Sequence, residues 1–216
     1  MIPKIQLALD CLSTEDALKV LASGVADEVD IVECGYCLIA REGARVVKYF
    51  REILPNKPLL ADLKIVDAGN AIGSALLDGK PDYTTILCAC EPGTIDAVKA
   101  EREKRNLNTQ LQIELYGHWS FDDVAMWKEK GISQLTLQHS GDKPGGWDDE
   151  ELATLKKLVN CGINVAATGH IDYDELDKFV GIPVSCFIFG SAIKNAKDPK
   201  AEAKRIREKI EKLWAD

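Results

Sequence analysis

The feature that most constrains this chain is a regular alternation of short apolar runs with amphipathic segments that open on acids and close on glycine. The runs fall at residues 4–10 (KIQLALD), 28–35 (EVDIVECG), 58–64 (PLLADLK), 83–89 (YTTILCA), 111–117 (LQIELYG), 133–139 (SQLTLQH), 163–169 (INVAATG) and 185–190 (SCFIFG). Several are rich in Ile, Leu and Val, as parallel strands covered on both faces require. Between them, STEDALKVLASG offers Ser13 or Thr14 as a helix N-cap and Gly24 as a stop. FDDVAMWKEKG and DDEELATLKKLVNCG carry acids early, lysines late and a closing glycine, and the tail places Pro199 near a first helical turn. Eight strand–helix units in 216 residues come to about 27 residues each, the size of unit that closes a barrel. An open doubly wound sheet usually has fewer strands and a glycine-rich first turn, whereas the first turn here is LDCLST. The pattern predicts an α/β chain folded as one (β/α)8 barrel of the TIM type, a single domain over residues 1–216.

In such a barrel the chemistry sits at the C-terminal ends of the strands, so polar residues should interrupt the apolar runs there. Asp10 closes the first run, Glu33 the second, and Asp62 with Lys64 the third. Glu114 lies in the fifth, Gln138 and His139 close the sixth, Thr168, Gly169 and His170 follow the seventh, and Gly190 and Ser191 follow the eighth. Strand alternation points residues 62 and 64 to one side, so Asp62 and Lys64 can share a cavity. The plain alternative is a salt bridge plugging the barrel mouth. Acids, a lysine or a histidine at one end of five of the eight strands argue against it. Glu33 and Asp62, on adjacent strands, suit a hard divalent cation such as Mg²⁺. Lys64 beside them can stabilise negative charge developing on a substrate oxygen.

A formal charge of −8 disfavours nucleic acid and anionic membranes as partners. There is no run of about 18 apolar residues and no leader pattern at the start, which predicts a soluble, cytoplasmic protein. Seven cysteines, an odd number set mostly in or beside the runs, read as reduced and packed thiols. The CGYC of residues 34–37 has no second matching pair for a zinc site.

The segments QLALD, EVDIVECG, ADLKIVDAG, QIELYGHW and GISQ, spread over nearly the whole chain, resemble the 3-keto-L-gulonate 6-phosphate decarboxylase family within the orotidine monophosphate decarboxylase superfamily. The Asp-x-Lys-x-x-Asp of residues 62–67 is the superfamily signature, and QIELYG narrows the match to the keto-gulonate phosphate branch. The resemblance implies a Mg²⁺-dependent decarboxylation of a phosphorylated keto-sugar acid to L-xylulose 5-phosphate through an enediolate. Glu33 and Asp62 would hold the metal and Lys64 would support the enediolate. Asp10 and Glu114 would position groups in the cavity, and Asp67 would complete the site of the neighbouring subunit in a homodimer.

Two departures bear on activity. At the end of the sixth strand the family reads Tyr-His-(Arg or Gln)-Ser-Arg-Asp, where this chain has LQHSGD. Aligned through GISQ, Gln138 replaces the proton-delivering histidine and Gly141 an arginine, and His139, one position later, starts on the opposite side. His139 is nevertheless retained among the catalytic candidates. At the phosphate end, TGHI and FGSAI stand where Thr-Gly-Gly and Gly-Arg are usual. Thr168, Gly169, His170, Gly190 and Ser191 therefore remain to bind substrate with Gln138, and Lys143 or Lys194 are further cations to consider. The competing readings are the sister aldolase, hexulose-6-phosphate synthase, and a barrel, natural or engineered, that keeps fold and metal shell without catalysis.

Overall fold

The computed structural model describes residues 1–215. Its strands β1 (Lys4–Leu9), β2 (Ile31–Cys34), β3 (Leu59–Ile65), β4 (Tyr83–Leu87), β5 (Gln110–Leu115), β6 (Gln134–Gln138), β7 (Asn164–Thr168) and β8 (Cys186–Phe189) pair in parallel in chain order. Pairing of β1 with β8, from Lys4 opposite Cys186 to Leu7 opposite Phe189, closes the ring. All eight apolar runs thus became strands, most of them trimmed at their ends.

The helices are α1 (Thr14–Ala22), α2 (Tyr36–Glu42), α3 (Arg45–Ile53), α4 (Gly69–Leu77), α5 (Pro92–Lys104), α6 (Phe121–Glu129), α7 (Asp149–Val159), α8 (Ser191–Lys194) and α9 (Pro199–Leu213). Their caps follow from the sequence. Ser13 accepts from the Asp16 N–H at the start of α1, and Ser120 and Asp148 each form a capping box, with Asp123 and Glu151. Two helices follow β2 and two follow β8, and one unit lacks an α-helix. Between β7 and β8 there is only a 3₁₀ turn, Glu175–Phe179, because left-handed Gly181 (φ 82°) and Pro183 follow directly and stop a helix from growing.

Two apolar layers result. The larger lies between strands and helices and includes Leu7, Val32, Leu59, Ile86, Ile113, Leu135, Val165 and Phe187. At about 1.5–3 kcal/mol for each fully buried side chain, this layer is the main source of stability. The smaller fills the barrel with Ala8, Ile31, Leu60, Ala166, Cys186 and Ile188. The interior is far from purely apolar: Gln6, Thr85, Gln112 and Thr136 are also buried, as are Glu33, Asp62 and Glu114. Along the inward faces, small or apolar residues lead to acids at the C-terminal ends: Ala8 precedes Asp10, Ile31 precedes Glu33, and Leu60 precedes Asp62. The seven cysteines form no disulfide; Cys34 is buried and Cys37 exposed. Among the described residues no helix is long and apolar enough to cross a membrane.

Candidate active site

β3 does not run straight into the site. Its pairing with β4 proceeds through Leu60–Tyr83 and Ala61–Thr84, shifts register, and resumes at Ile65–Ile86. Within the shift Lys64 adopts φ 49°, a left-handed conformation that costs a non-glycine residue roughly 1–2 kcal/mol. Thr85 holds this kink, its hydroxyl accepting from the Lys64 N–H (2.9 Å) and donating to Asp62 Oδ1 (2.6 Å). The Lys64 ammonium thereby reaches Asp62 Oδ2 and lies 3.2 Å from Glu114 Oε2. The Tyr36 and Tyr116 rings flank it, with centroids 5.3 and 5.9 Å away. Asp62 and Lys64 are thus brought into contact through a bulge rather than plain alternation, with Lys64 lining a cavity and Asp62 buried outside its lining.

One ammonium serves a cluster of carboxylates that are nearly sealed from solvent. Glu33, Asp62 and Glu114 are 5%, 3% and 6% exposed. Burial, with the charges of Asp62 and Asp10, holds the Glu33 carboxyl well above the usual range. Burial and Asp62 push Glu114 up to about 7 despite the attraction of Lys64. For Lys64 burial acts to lower the pKa, but Glu114, Asp62 and the hydrogen bond to Asp62 outweigh it and raise it, so the ammonium persists. The cluster thus carries more acid than one lysine can neutralise.

That excess, and an all-oxygen donor set, suit a hard divalent cation. Glu33 accepts from the Gln6 amide (2.6 Å) and Asp62 already binds Thr85 and Lys64. Among the described residues no group of three or more His, Cys, Asp or Glu side chains is gathered closely enough to hold a metal alone. Mg²⁺ does not need one, because it commonly takes one or two carboxylates and fills its octahedron with water and substrate oxygens. Glu33 and Asp62 fit such a site.

Above the cluster lies a cavity of about 400 Å³, whose lining includes Asp10, Lys64, Gln138, His139, Thr168 and Ser191. Tyr36, Tyr116, Gly169, His170 and Gly190 also line it. Asp10 accepts from the Cys37 N–H (3.1 Å), and a Cβ on Gly35 would stand 2.5 Å from Asp10 Oδ1, so only glycine lets the two segments approach. At the far end Trp147 Nε1 donates to the carbonyls of Thr168 (3.2 Å) and Gly169 (2.9 Å), fixing the turn after β7. A cavity of about 440 Å³ at the opposite end of the barrel includes Met1, Ile132 and Pro183 in its lining. Among the described residues its one ionisable side chain, Lys128, donates to the Cys161 carbonyl, and no acid–base pair lines it.

His139 does not join the catalytic group. It is 1% exposed, its Nδ1 is 3.0 Å from both Glu151 oxygens, and its Nε2 is 3.1 Å from the Lys143 carbonyl. With both ring nitrogens engaged, it ties the end of β6 to the start of α7 and has none left for proton exchange with a ligand. Nor do the two lysines point into the far end: Lys143 is held by Asp148 (2.7 Å) and Glu151 (3.0 Å), and Lys194 donates to the Asp10 carbonyl. Asp67 is exposed and does not line the cavity. Sequence reasoning missed Gln6, Thr85, Tyr36 and Tyr116. Gln6 carried a signal, since alternation puts it on the same face as Ala8 and Asp10. Thr85 is a polar residue inside an apolar strand, whereas the two tyrosines had no signal beyond following an acid-bearing strand.

The model of the orotidine 5′-phosphate decarboxylase / HUMPS family matches residues 3–206. The chain is 32% identical to a 3-keto-L-gulonate-6-phosphate decarboxylase of Salmonella paratyphi B over 216 residues, covering 99% of each. It superposes on a crystal structure of the Streptococcus mutans enzyme KGPDC with a TM-score of 0.94 and 32% identity, covering 99% of this chain and 100% of that one. A 3-hexulose-6-phosphate synthase from Salmonella typhimurium is more distant, with a TM-score of 0.79 and 27% identity over 97% of this chain and 99% of that one.

Proposed function

Because the chain belongs to the orotidine 5′-phosphate decarboxylase / HUMPS family, we propose that it is a carboxy-lyase that converts 3-keto-L-gulonate 6-phosphate to L-xylulose 5-phosphate and CO₂. The observation that carries this reading is the Lys64 ammonium fastened between Asp62 and Glu114 in the floor of the cavity. Breaking the carbon–carbon bond leaves an electron pair on the sugar, which spreads onto oxygen as an enediolate. A preorganised cation beside that oxygen lowers the barrier most, because it needs no reorientation as the charge forms. Asp62, with Thr85, keeps Lys64 in place, and Asp10 and Glu114 orient the sugar hydroxyls. Mg²⁺ held by Glu33 and Asp62 would supply further electrostatic stabilisation to substrate oxygens. The phosphate lies toward Thr168, Gly169, His170, Gly190 and Ser191, and Asp67 enters the site of a second copy.

The last step is protonation of carbon. Gln138 occupies the wall where an acid would be needed, and a carboxamide does not exchange a proton as an imidazole does. A positioned acid contributes roughly 10²–10⁴-fold. Activity toward this substrate is therefore expected to be present but weak, to require Mg²⁺, and to vanish on chelation. Asp62→Ala should abolish it while circular dichroism stays unchanged. Gln138→His with Ser191→Arg should raise kcat/KM, and an unchanged value would sink the decarboxylase reading. A second reading, condensation of formaldehyde with ribulose 5-phosphate, follows if the register is shifted by one residue, since His139-Ser140-Gly141 then matches the His-Thr-Gly usual in the sister synthases, although QIELYG favours the decarboxylase branch. Assaying that pair of substrates with the same protein separates the two.

A further inference from the structure

We propose that the far end of the cavity binds a dianion through Nε2 of His170, with uptake of one proton per ligand bound. The proposal rests on the reading above for the phosphate's position and goes beyond it by naming the group that meets the charge.

A phosphate or sulfate group is ordinarily met by a guanidinium or an ammonium. Among the described residues no arginine lines the cavity. Among the same residues Lys64 is the one lysine in its lining and is paired with Asp62 and Glu114, while Lys143, held by Asp148 and Glu151, and Lys194, which donates to the Asp10 carbonyl, lie outside that lining. His170 is exposed, lines the cavity, and is the one side chain of the turn after β7 able to become a cation there.

Its hydrogen-bonding state follows from one contact. Nδ1 lies 2.7 Å from the Gly145 carbonyl oxygen, which can only accept, so Nδ1 carries a hydrogen. The neutral ring then offers a lone pair at Nε2, on the side away from Gly145, and a dianion finds no donor there. Once a second proton is bound, Nε2 becomes the donor of a charge-assisted bond. Ligand charge and proton are thereby linked.

The ring is also held in advance. Gly169 (φ 85°) and His170 (φ 53°) are successive left-handed residues. A Cβ on Gly169 would fall 1.9 Å from the His139 carbonyl oxygen, so the backbone is pinned against β6. The His139 ring stands 5.1 Å from that of His170, centroid to centroid, with its nitrogens already bonded to Glu151 and the Lys143 carbonyl. Asp10, Tyr36, Cys37, Lys64 and Tyr116 occupy the remaining walls, Asp172 follows on the same turn, and Glu175 packs on Gly146.

Sulfate is the suitable probe, because it stays dianionic where a phosphate ester, with a second pKa of about 6, changes charge. Isothermal titration of the whole protein with sulfate at about pH 6 and about pH 8, in two buffers of different ionisation enthalpy, reads affinity and proton uptake together. Wild type should take up close to one proton at the higher pH, and its Kd should weaken by up to about tenfold per pH unit. His170→Asn, a residue that tolerates left-handed backbone, should lose the uptake and bind sulfate weakly at both values. His170→Arg should bind it without uptake. No sulfate binding by wild type, binding without uptake, or uptake that survives in His170→Asn would each overturn the proposal. Sulfate binding needs no turnover, so failure of the decarboxylase assay and failure of this test are separate results.

Discussion

The Glu151 carboxylate receives the His139 ring, the Lys143 ammonium (3.0 Å) and the Asp148 N–H (3.0 Å), and so joins the end of β6 to the cap of α7. Burial acts to raise its pKa, but the bonds from His139, Asp148 and Lys143 prevail and hold it below the usual range. A carboxyl depressed on folding adds stability above its unfolded value, about 4.3, and that stability is lost as pH falls through the lower folded value. Glu151→Gln should therefore lie below wild type in Tm at neutral pH, with the gap narrowing as pH falls below the unfolded value of about 4.3. A gap constant with pH would show that the carboxylate charge is not what the loop uses. Strand alternation already turned His139 away from the Gln138 side; the sequence did not reveal its partners, because Lys143 lies in the loop that follows and Glu151 on the next helix. Gln138 faces the cavity, and His139 turns its ring to the loop. The Asp62–Lys64 pairing could be read in advance, but the bulge that produces it depends on Thr85, on a different strand.

At the level of elements, β8 gathers the aromatic side chains that fasten the end of the chain. Phe187 packs edge-on against Phe179 of the 3₁₀ turn (5.2 Å) and Trp214 beyond α9 (5.3 Å), and leans on Phe189 (6.4 Å). Trp214 Nε1 also donates to the Ile182 carbonyl (3.3 Å). Phe187→Ala should cost about 3–5 kcal/mol, since the cavity would adjoin three elements that cannot all close over it. Denaturant unfolding measures it, and a loss under about 1 kcal/mol would mean that the cluster is dispensable. The strands were readable because fully buried parallel strands leave continuous apolar runs. The 3₁₀ turn was not, because IDYDELDKF opens on acids like its helical counterparts and differs only in how soon Gly181 and Pro183 interrupt it.

For the whole molecule, the proposed pairing of two copies finds support in Leu12, Tyr36 and Val66, which are large apolar side chains left exposed at the ends of β1, β2 and β3, with exposed Asp67 next to Val66. Homodimers of Lys64→Ala or of Asp67→Ala should be inactive. Mixed in equal amounts and allowed to exchange, they should regain about a quarter of the wild-type sites, since random pairing makes half the dimers hybrid and one site of each hybrid is whole. No recovery in a mixture shown to exchange would place Asp67 in its own subunit's chemistry. The seam between β1 and β8 has a different consequence, for the chain as it is being made. Residues 4–7 are made about 180 residues before their partners at 186–189. Through most of translation the nascent sheet has two open edges, and ring closure must wait for the final strand. Chains stalled before β8 should accordingly be the ones that chaperones retain and proteases cut.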